Sequence, residues 1–298
     1  MSAVLFFQIL INGLAIGSVY ILIVLGLDII LRGTKILNFA HGQLYMLGAY
    51  TVFIFCHVLK LNYILSFIIA GLVLAIIGAL CYLSVFSFIQ RRFTVSTSFS
   101  NRLLLSAMAS VGLMMILQQG TLLGFGTSEK GMSSSFLQVI ITIGENKISA
   151  ARLIILLLSL VIGVGLYFLM FKTKLGKVIR AVSYDAEPVS LQGVNTFVIF
   201  LSCFSLGSAL AGIAGGIIAP VFAITPTMGT QVIFIALLVL IVGGIGSYKG
   251  TILGGLLVGI ALSFGYQFIG GIAELGLFIF AIILLIFRPG GILGEAED

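Results

Sequence analysis

Residues 188 to 248 form a run of 61 positions without one charged side chain, and a run of that length leaves few folds open. Six further uncharged runs cover 4–27, 36–59 (His counted as neutral), 61–90, 103–128, 153–171 and 250–273. About 20 apolar residues in a helix cross about 30 Å of hydrocarbon, and most of these runs are longer. Backbone N–H and C=O groups find no water in lipid, so such segments must be helices that satisfy themselves. Barrel strands would instead alternate in polarity over about ten residues at a time. With 60% hydrophobic and 8% charged residues among 298, the chain cannot clothe a soluble globule. The expected architecture is an all-α polytopic integral membrane helical bundle, a single transmembrane domain over residues 1–298.

The 61-residue run is too long for one crossing. "APVFAITPTMGT" (219–230), with two prolines and several turn residues, divides it in two. Between 250 and 287 the one charge is Glu274, beside Gly270 and Gly271, which predicts two shortish spans. The total is nine transmembrane helices, or eight if one late Gly-broken piece is re-entrant. With the N-terminus outside and nine spans, the inner side receives Arg32, Lys35, Arg91, Arg92, Arg102, Lys172, Lys174, Lys177, Arg180, Lys249 and Arg288. The outer side receives Lys60, Lys130, Lys147 and Arg152. That asymmetry obeys the positive-inside rule and places the C-terminus in the cytoplasm. The net charge of +6 is then an orientation device. Its basic residues are dispersed among short loops, with no face of interleaved aromatics for nucleic acid.

The first span reads as an uncleaved signal-anchor, because no short apolar region is followed by a small-residue cleavage site. Cys56, Cys81 and Cys203 lie in or at the edge of apolar spans with no paired spacing, which suits packing rather than disulfides or metal. The sequence shows no metal-binding run, no phosphate-cradling Gly loop with its Lys, and no nucleophile with a base. His41 and His57 are the only histidines, so an enzyme embedded here has little to work with.

Two places depart from this background. "KILNFAHGQLYMLGAY" (35–50) sets polar residues in an apolar span. On a helix, Asn38, His41, Tyr45 and Gly48 share one face, with Gly42 and Ala49 beside it. Such a stripe faces other helices or a water-filled path, since facing lipid is costly. Interhelical hydrogen bonding alone would also account for it. The second place is "KTKLGKVIRAVSYDAEPVSLQGVN" (172–195), the largest inner loop. Lys177, Arg180 and Tyr184 fall on one face of a short helix, opposite Val178, Ala181 and Val182. Asp185 is placed as an N-cap, Ala186, Glu187 and Pro188 fill a first turn, and Gly193 follows as a C′ residue. The spacing predicts two short helices forming a knob, with an ordinary ordered loop as the alternative.

"LNFAHGQLYMLGAY" resembles the signature of the permease subunits of ABC transporters for branched-chain amino acids, the LivH-like subunits. "GKVIRAVSYDAEPVSLQGVN" is similar to the loop by which those permeases dock on their ATPases. "ALLVLIVGGIGSYKGTILGGLLVGI" (236–260) resembles their late Gly-rich segment, and "IFRPGGILG" (286–294) their C-terminal ending. The four occur in the expected order. Two departures stand beside them: Asp28 and Arg32, where the family usually has uncharged residues, and "EPVSLQGVN" in place of a more Ala- and Leu-rich stretch. The i, i+4 spacing of Asp28 and Arg32 allows an intrahelical ion pair, or else a solute-path feature peculiar to this chain.

The resemblance implies an ABC importer permease in a bacterial inner membrane. This chain would pair with a second homologous permease, two ATP-binding cassette ATPases would bind inside, and an extracytoplasmic solute-binding protein would deliver the solute. ATP and Mg would belong to the ATPases, with no cofactor on this chain, which is a path and a lever rather than an enzyme. The expected path residues are Asn38, His41, Gly42, Gln43 and Tyr45, with Gly243, Gly244 and Gly246 as counterpart, because Gly-interrupted segments in two halves of a transporter often mark its site. Close packing explains the Gly cluster equally well. The expected docking residues are Gly176, Arg180, Asp185, Glu187 and Gly193, within 172–195. Urea or short amides are alternative solutes. Two other classes remain, an ATP-independent carrier or channel and a non-transporting scaffold.

Overall fold

The computed structural model describes residues 3–93, 99–132, 140–143, 146–288 and 290–293. Among the described residues six helices are long and apolar enough to cross a membrane: α1 (Ala3–Thr34), α3 (Tyr63–Cys81, continuing through a π-helical stretch Tyr82–Phe86 into α4, Ser87–Phe93), α5 (Phe99–Phe125), α6 (Ala150–Lys172), α9 (Thr196–Ile218) and α11 (Tyr248–Ile269). α10 (Met228–Gly243) and α12 (Ile272–Phe287) are shorter and apolar. α2 (His41–Val52) is shorter still and runs on into a π-helical stretch, Phe53–Val58. α7 (Lys174–Tyr184) and α8 (Ala186–Leu191) form the expected pair of short helices. A two-stranded hairpin, β1 (Ile140–Ile143) with β2 (Asn146–Ser149), supplies the strands among the described residues. The chain is a multi-pass, essentially all-helical membrane protein.

The expected divisions of the late region are present. α9 ends at Ile218 and α10 begins at Met228, across the Pro-containing segment; α11 and α12 part at Gly270, whose φ of 61° favours glycine. The second apolar run behaves differently from expectation. Lys35 adopts a left-handed φ of 56°, residues 35–38 have no regular structure, and the helix starts only at His41. Asn38 therefore lies before the helix, not on its stripe. The reason is local: the Asn38 Oδ1 accepts from the Ala40 N–H at 3.0 Å and its carbonyl accepts from the His41 N–H at 3.3 Å, an Asn-centred turn that competes with helix.

α9 runs antiparallel between α1 and α3, with α2 crossing it. Small residues set the closest approaches. Gly13 and Gly17 of α1 meet Gly259 and Gly255 of α11 backbone to backbone, and Gly26 of α1 meets Gly207 of α9. In lipid, where apolar contact offers no advantage over tails, such close backbone approach is what holds helices together.

The knob formed by α7 and α8 marks one end of the bundle. The C-terminal ends of α1, α6 and α12, the N-terminal ends of α5 and α9, and the α10–α11 turn share that end. They bring Arg32, Lys35, Arg102, Lys172, Lys249 and Arg288 to the knob's own Lys174, Lys177 and Arg180. Lys60, Lys130 and Arg152 sit at the other end. The side chains of Arg91, Arg92 and Lys147, and Pro289 and Gly294 of the C-terminal motif, lie outside the described residues.

Candidate functional site

Two short helices begin inside the bundle and meet there. The first turn of α2 and the first turn of α10 touch at Gly42 and Gly229, so closely that a Cβ on Gly229 would stand 2.5 Å from the Gly42 carbonyl oxygen. Only glycine at both positions allows this. The polar side chains beside the contact are wholly buried. His41 is 0% exposed, and its Nε2–H donates to the Ile23 carbonyl of α1 at 3.0 Å. Ile23 lies eleven residues before the end of α1, about 16 Å of helix, so this contact is well inside the bundle. Gln43, also 0% exposed, donates through Nε2 to the Thr230 hydroxyl at 3.1 Å, and that hydroxyl donates to Gln118 Oε1 of α5 at 3.3 Å. Asn38 and Tyr45 are buried too; the Tyr45 carbonyl packs on Gly215 of α9.

Among the described residues, two atoms at this junction have no hydrogen-bond partner, His41 Nδ1 and Gln43 Oε1. A buried acceptor without a donor costs about 1–3 kcal/mol, and a tightly packed pair of them needs a reason. Of the expected path residues, His41, Gly42 and Gln43 stand at this junction, Asn38 lies in the turn before it and Tyr45 one turn further along α2. Gly229 and Thr230, their partners on α10, were legible only as part of a turn-rich divider.

The late glycines lie elsewhere. Gly243 ends α10, about 21 Å of helix beyond Gly229, and packs on Gly250 at the start of α11. Gly244 (φ 94°) and Gly246 (φ 87°) turn the chain between the two helices. The Gly246 N–H donates to Asp28 Oδ1 at 3.1 Å, while Asp28 Oδ2 pairs with Arg32 Nε at 3.1 Å. The C-terminal segment covers the same turn, Ile292 N–H donating to the Val242 carbonyl at 2.8 Å. The structure thus brings Gly243, Gly244 and Gly246 to Asp28 and Arg32 at the knob end, not to His41. The Asp28–Arg32 pairing expected from spacing is made, with Asp28 3% exposed on its side chain and Arg32 31%.

In the knob, Thr173 caps α7 by accepting from the Gly176 N–H, and Asp185 caps α8 by accepting from the Glu187 N–H at 3.0 Å. Gln192 ends α8, and Gly193 follows at φ 85° in open space. The expected docking residues divide into two kinds. Gly176 fits against the Leu169 and Met170 carbonyls; Arg180 donates to the Met170 carbonyl and lies over the Phe171 ring at 5.0 Å. Both fasten α7 to α6. The face buried with Gly176 is Ile179 and Val182, whereas Ala181, expected there, is exposed. Asp185 and Glu187 are exposed, and so are Tyr184 at 89% and Leu191 at 84%, two large side chains not singled out for docking in the sequence. One tie connects the knob to the junction's approach: Lys35 Nζ donates to the Ser183 carbonyl at 2.8 Å. Lys35 opens the 35–40 connector that carries Asn38 and leads into His41.

Among the described residues no group of His, Cys, Asp and Glu could hold a metal ion. The three cysteines are free thiols, with Cys203 filling the space left by Gly33.

The family described as branched-chain amino acid transport system, permease component, matches residues 9–287. The chain is 30% identical to the high-affinity branched-chain amino acid transport system permease protein BraD of Pseudomonas aeruginosa, covering 98% of this chain and 97% of that one. It is 28% identical to LivH of Escherichia coli K12 (98% and 96% covered). A probable LivH of Methanocaldococcus jannaschii is 26% identical (93% and 89% covered). No solved structure matches.

Proposed function

The chain belongs to the family of branched-chain amino acid transport permease components, and from that membership we propose that it is one of two permeases of an ABC importer for branched-chain amino acids in a bacterial inner membrane. Its N-terminus faces outward and its C-terminus and knob face the cytoplasm, where two ATPases carrying ATP and Mg bind. A second homologous permease completes the path, and an extracytoplasmic protein delivers the solute. The chain holds no cofactor.

The observation that carries this reading is the α2–α10 junction. Short helices whose first turns meet inside a bundle are how transporters build a site at depth, because the N-terminal amides carry partial positive charge and irregular backbone is tolerated only where it lines a passage. Here the first turns hold His41, Gln43 and Thr230, packed shut by Gly42 against Gly229. The unpartnered His41 Nδ1 and Gln43 Oε1 are satisfied when the junction parts and a solute or water enters.

The drive comes from the knob. ATPase closure grips the exposed face of Tyr184, Glu187 and Leu191, and α7 and α8 shift as a unit. The Lys35–Ser183 bond passes that shift to the connector, which draws Asn38 and His41 from their closed positions. Gly176 and Arg180 hold the lever's hinge against α6 rather than touching the ATPase.

Uptake by the reconstituted complex in proteoliposomes tests this. Leucine, isoleucine and valine should accumulate only with ATP and the binding protein. Accumulation of urea or short amides instead, or uptake that proceeds without ATP, contradicts it.

A further inference from the structure

A recess lies behind the knob, apart from the junction. A cleft of about 780 Å³ opens between the α7–α8 corner, the end of α1, the π-helical stretch before α4, and the first turns of α5 and α9. That volume is in the range of small-molecule sites. Its walls differ in character. Asp185 and Glu187 line it from the knob, and Arg102 from α5. Apolar side chains, among them Tyr82, Phe197 and Phe200, form another part of its lining. The Arg102 Nε is buried without a hydrogen-bond partner, an uncompensated donor of a kind that anions satisfy bidentately. Arg102, two carboxylates and an apolar surface around one cleft, with the Lys35 ammonium turned to the Ser183 carbonyl, together match a zwitterion with an apolar side chain.

We propose that this cleft binds a branched-chain α-amino acid from the knob side and that its occupancy holds the lever still. The carboxylate pairs with Arg102, the ammonium with Asp185, and the aliphatic side chain rests on Phe197 and Phe200. Because α7 and α8 are one wall, a ligand bridging them to α5 favours one lever position and resists the ATPases. Linkage makes the effect mutual, so the coupling that opposes ATPase closure also weakens the ligand whenever the ATPases close. The result is product feedback: solute accumulated in the cytoplasm slows its own import. The inference rests on the importer reading, and in particular on the knob facing the cytoplasm.

The test uses the complete complex in nanodiscs without binding protein, and the probe is L-leucine. Leucine in the millimolar range should lower ATPase activity at least twofold. Neither 4-methylpentanoate nor isoamylamine, each lacking one charge, should do so. Arg102→Gln should abolish the inhibition while binding-protein-dependent uptake into solute-free proteoliposomes persists, and Arg102→Lys should retain part of it. If leucine leaves the wild-type ATPase unchanged, or inhibits the Arg102→Gln complex equally, the feedback site is wrong while the importer reading stands. If the wild-type complex shows no ATP-dependent uptake, the importer reading itself fails. Equal inhibition by either single-charge analogue overturns the zwitterion assignment.

Discussion

The Lys35 ammonium donates to the Ser183 carbonyl at 2.8 Å, and this bond joins the last turn of α7 to the connector that ends at His41. It spans 148 residues of sequence and links the two segments that sequence singled out independently. Lys35 also holds a left-handed φ of 56°, a conformation that costs a non-glycine residue about 1 kcal/mol or more.

Lys35→Gly separates these two effects. It relieves the backbone and removes the bond, so the complex should melt no lower than wild type. A bond worth about 1 kcal/mol biases a two-position lever by about fivefold. Leucine moved per ATP hydrolysed should therefore fall several-fold, measured as parallel uptake and phosphate release. Unchanged coupling would remove Lys35 from the transmission.

The junction makes the opposite demand on glycine. Gly42→Ala or Gly229→Ala drives a methyl group into facing backbone, and overpacking of this kind costs about 1–3 kcal/mol. Gly112→Ala on α5, where a Cβ meets nothing within 4 Å, is the control. Melting in detergent should drop for the first two and hold for the third.

Gln43→Leu tests whether the buried amide serves transport rather than folding. Its Oε1 is already unpartnered and Thr230 keeps its bond to Gln118, so the loss is the one Nε2–Thr230 bond, worth about 1 kcal/mol, and the melting temperature should stay within a few degrees of wild type. Uptake should fall by about tenfold, the consequence of losing one differential interaction of about 1.4 kcal/mol in the open state. A collapse in stability with normal uptake per folded complex contradicts the assignment.

Asp28 and Arg32 form a structural clamp on the α10–α11 turn. Arg32→Met strands a buried carboxylate and should cost more than Asp28→Asn, because breaking one side of a buried pair costs about 3–5 kcal/mol. The double variant Asp28→Asn with Arg32→Met should recover much of the loss. Thermal unfolding of the three purified chains gives the order directly.

Gly193 stands in open space at φ 85°, so any penalty there is conformational. Gly193→Asn should be tolerated, since Asn enters the left-handed region readily, whereas Gly193→Val should strain the end of α8. Solute-stimulated ATPase should fall for Val and hold for Asn, with assembly intact in both. Full stimulation in the Val variant would show that α8's end does not bear on the ATPases.

Sequence reveals most where local rules govern. Asp185 as an N-cap and Gly193 as a C′ residue follow from side-chain and backbone preferences within a few residues, and the two knob helices form where those preferences put them. The i, i+4 pairing of Asp28 with Arg32 is equally local. Contacts between distant segments are another matter. The partner of Gly42 is Gly229 because α10 starts at depth, and nothing in "APVFAITPTMGT" specifies that start. Gly243 to Gly246 resemble a site by composition alone, but positive φ angles and the Asp28 bond make them a turn. Asn38 fits the helical periodicity, yet its side chain captures the backbone first. Arg180, polar and beside the docking residues, turns inward because Met170 leaves it a carbonyl and Phe171 a ring.

The lever works only if the knob faces the cytoplasm and the ATPases grip it there. Leu191 is 84% exposed at its tip, so a single Leu191→Cys, in a chain whose Cys56, Cys81 and Cys203 are replaced, reports on this with a membrane-impermeant maleimide. Labelling is predicted in inside-out vesicles, absent in intact cells, and blocked when the ATPases are bound. Labelling of intact cells would contradict the lever, the orientation and the importer mechanism together.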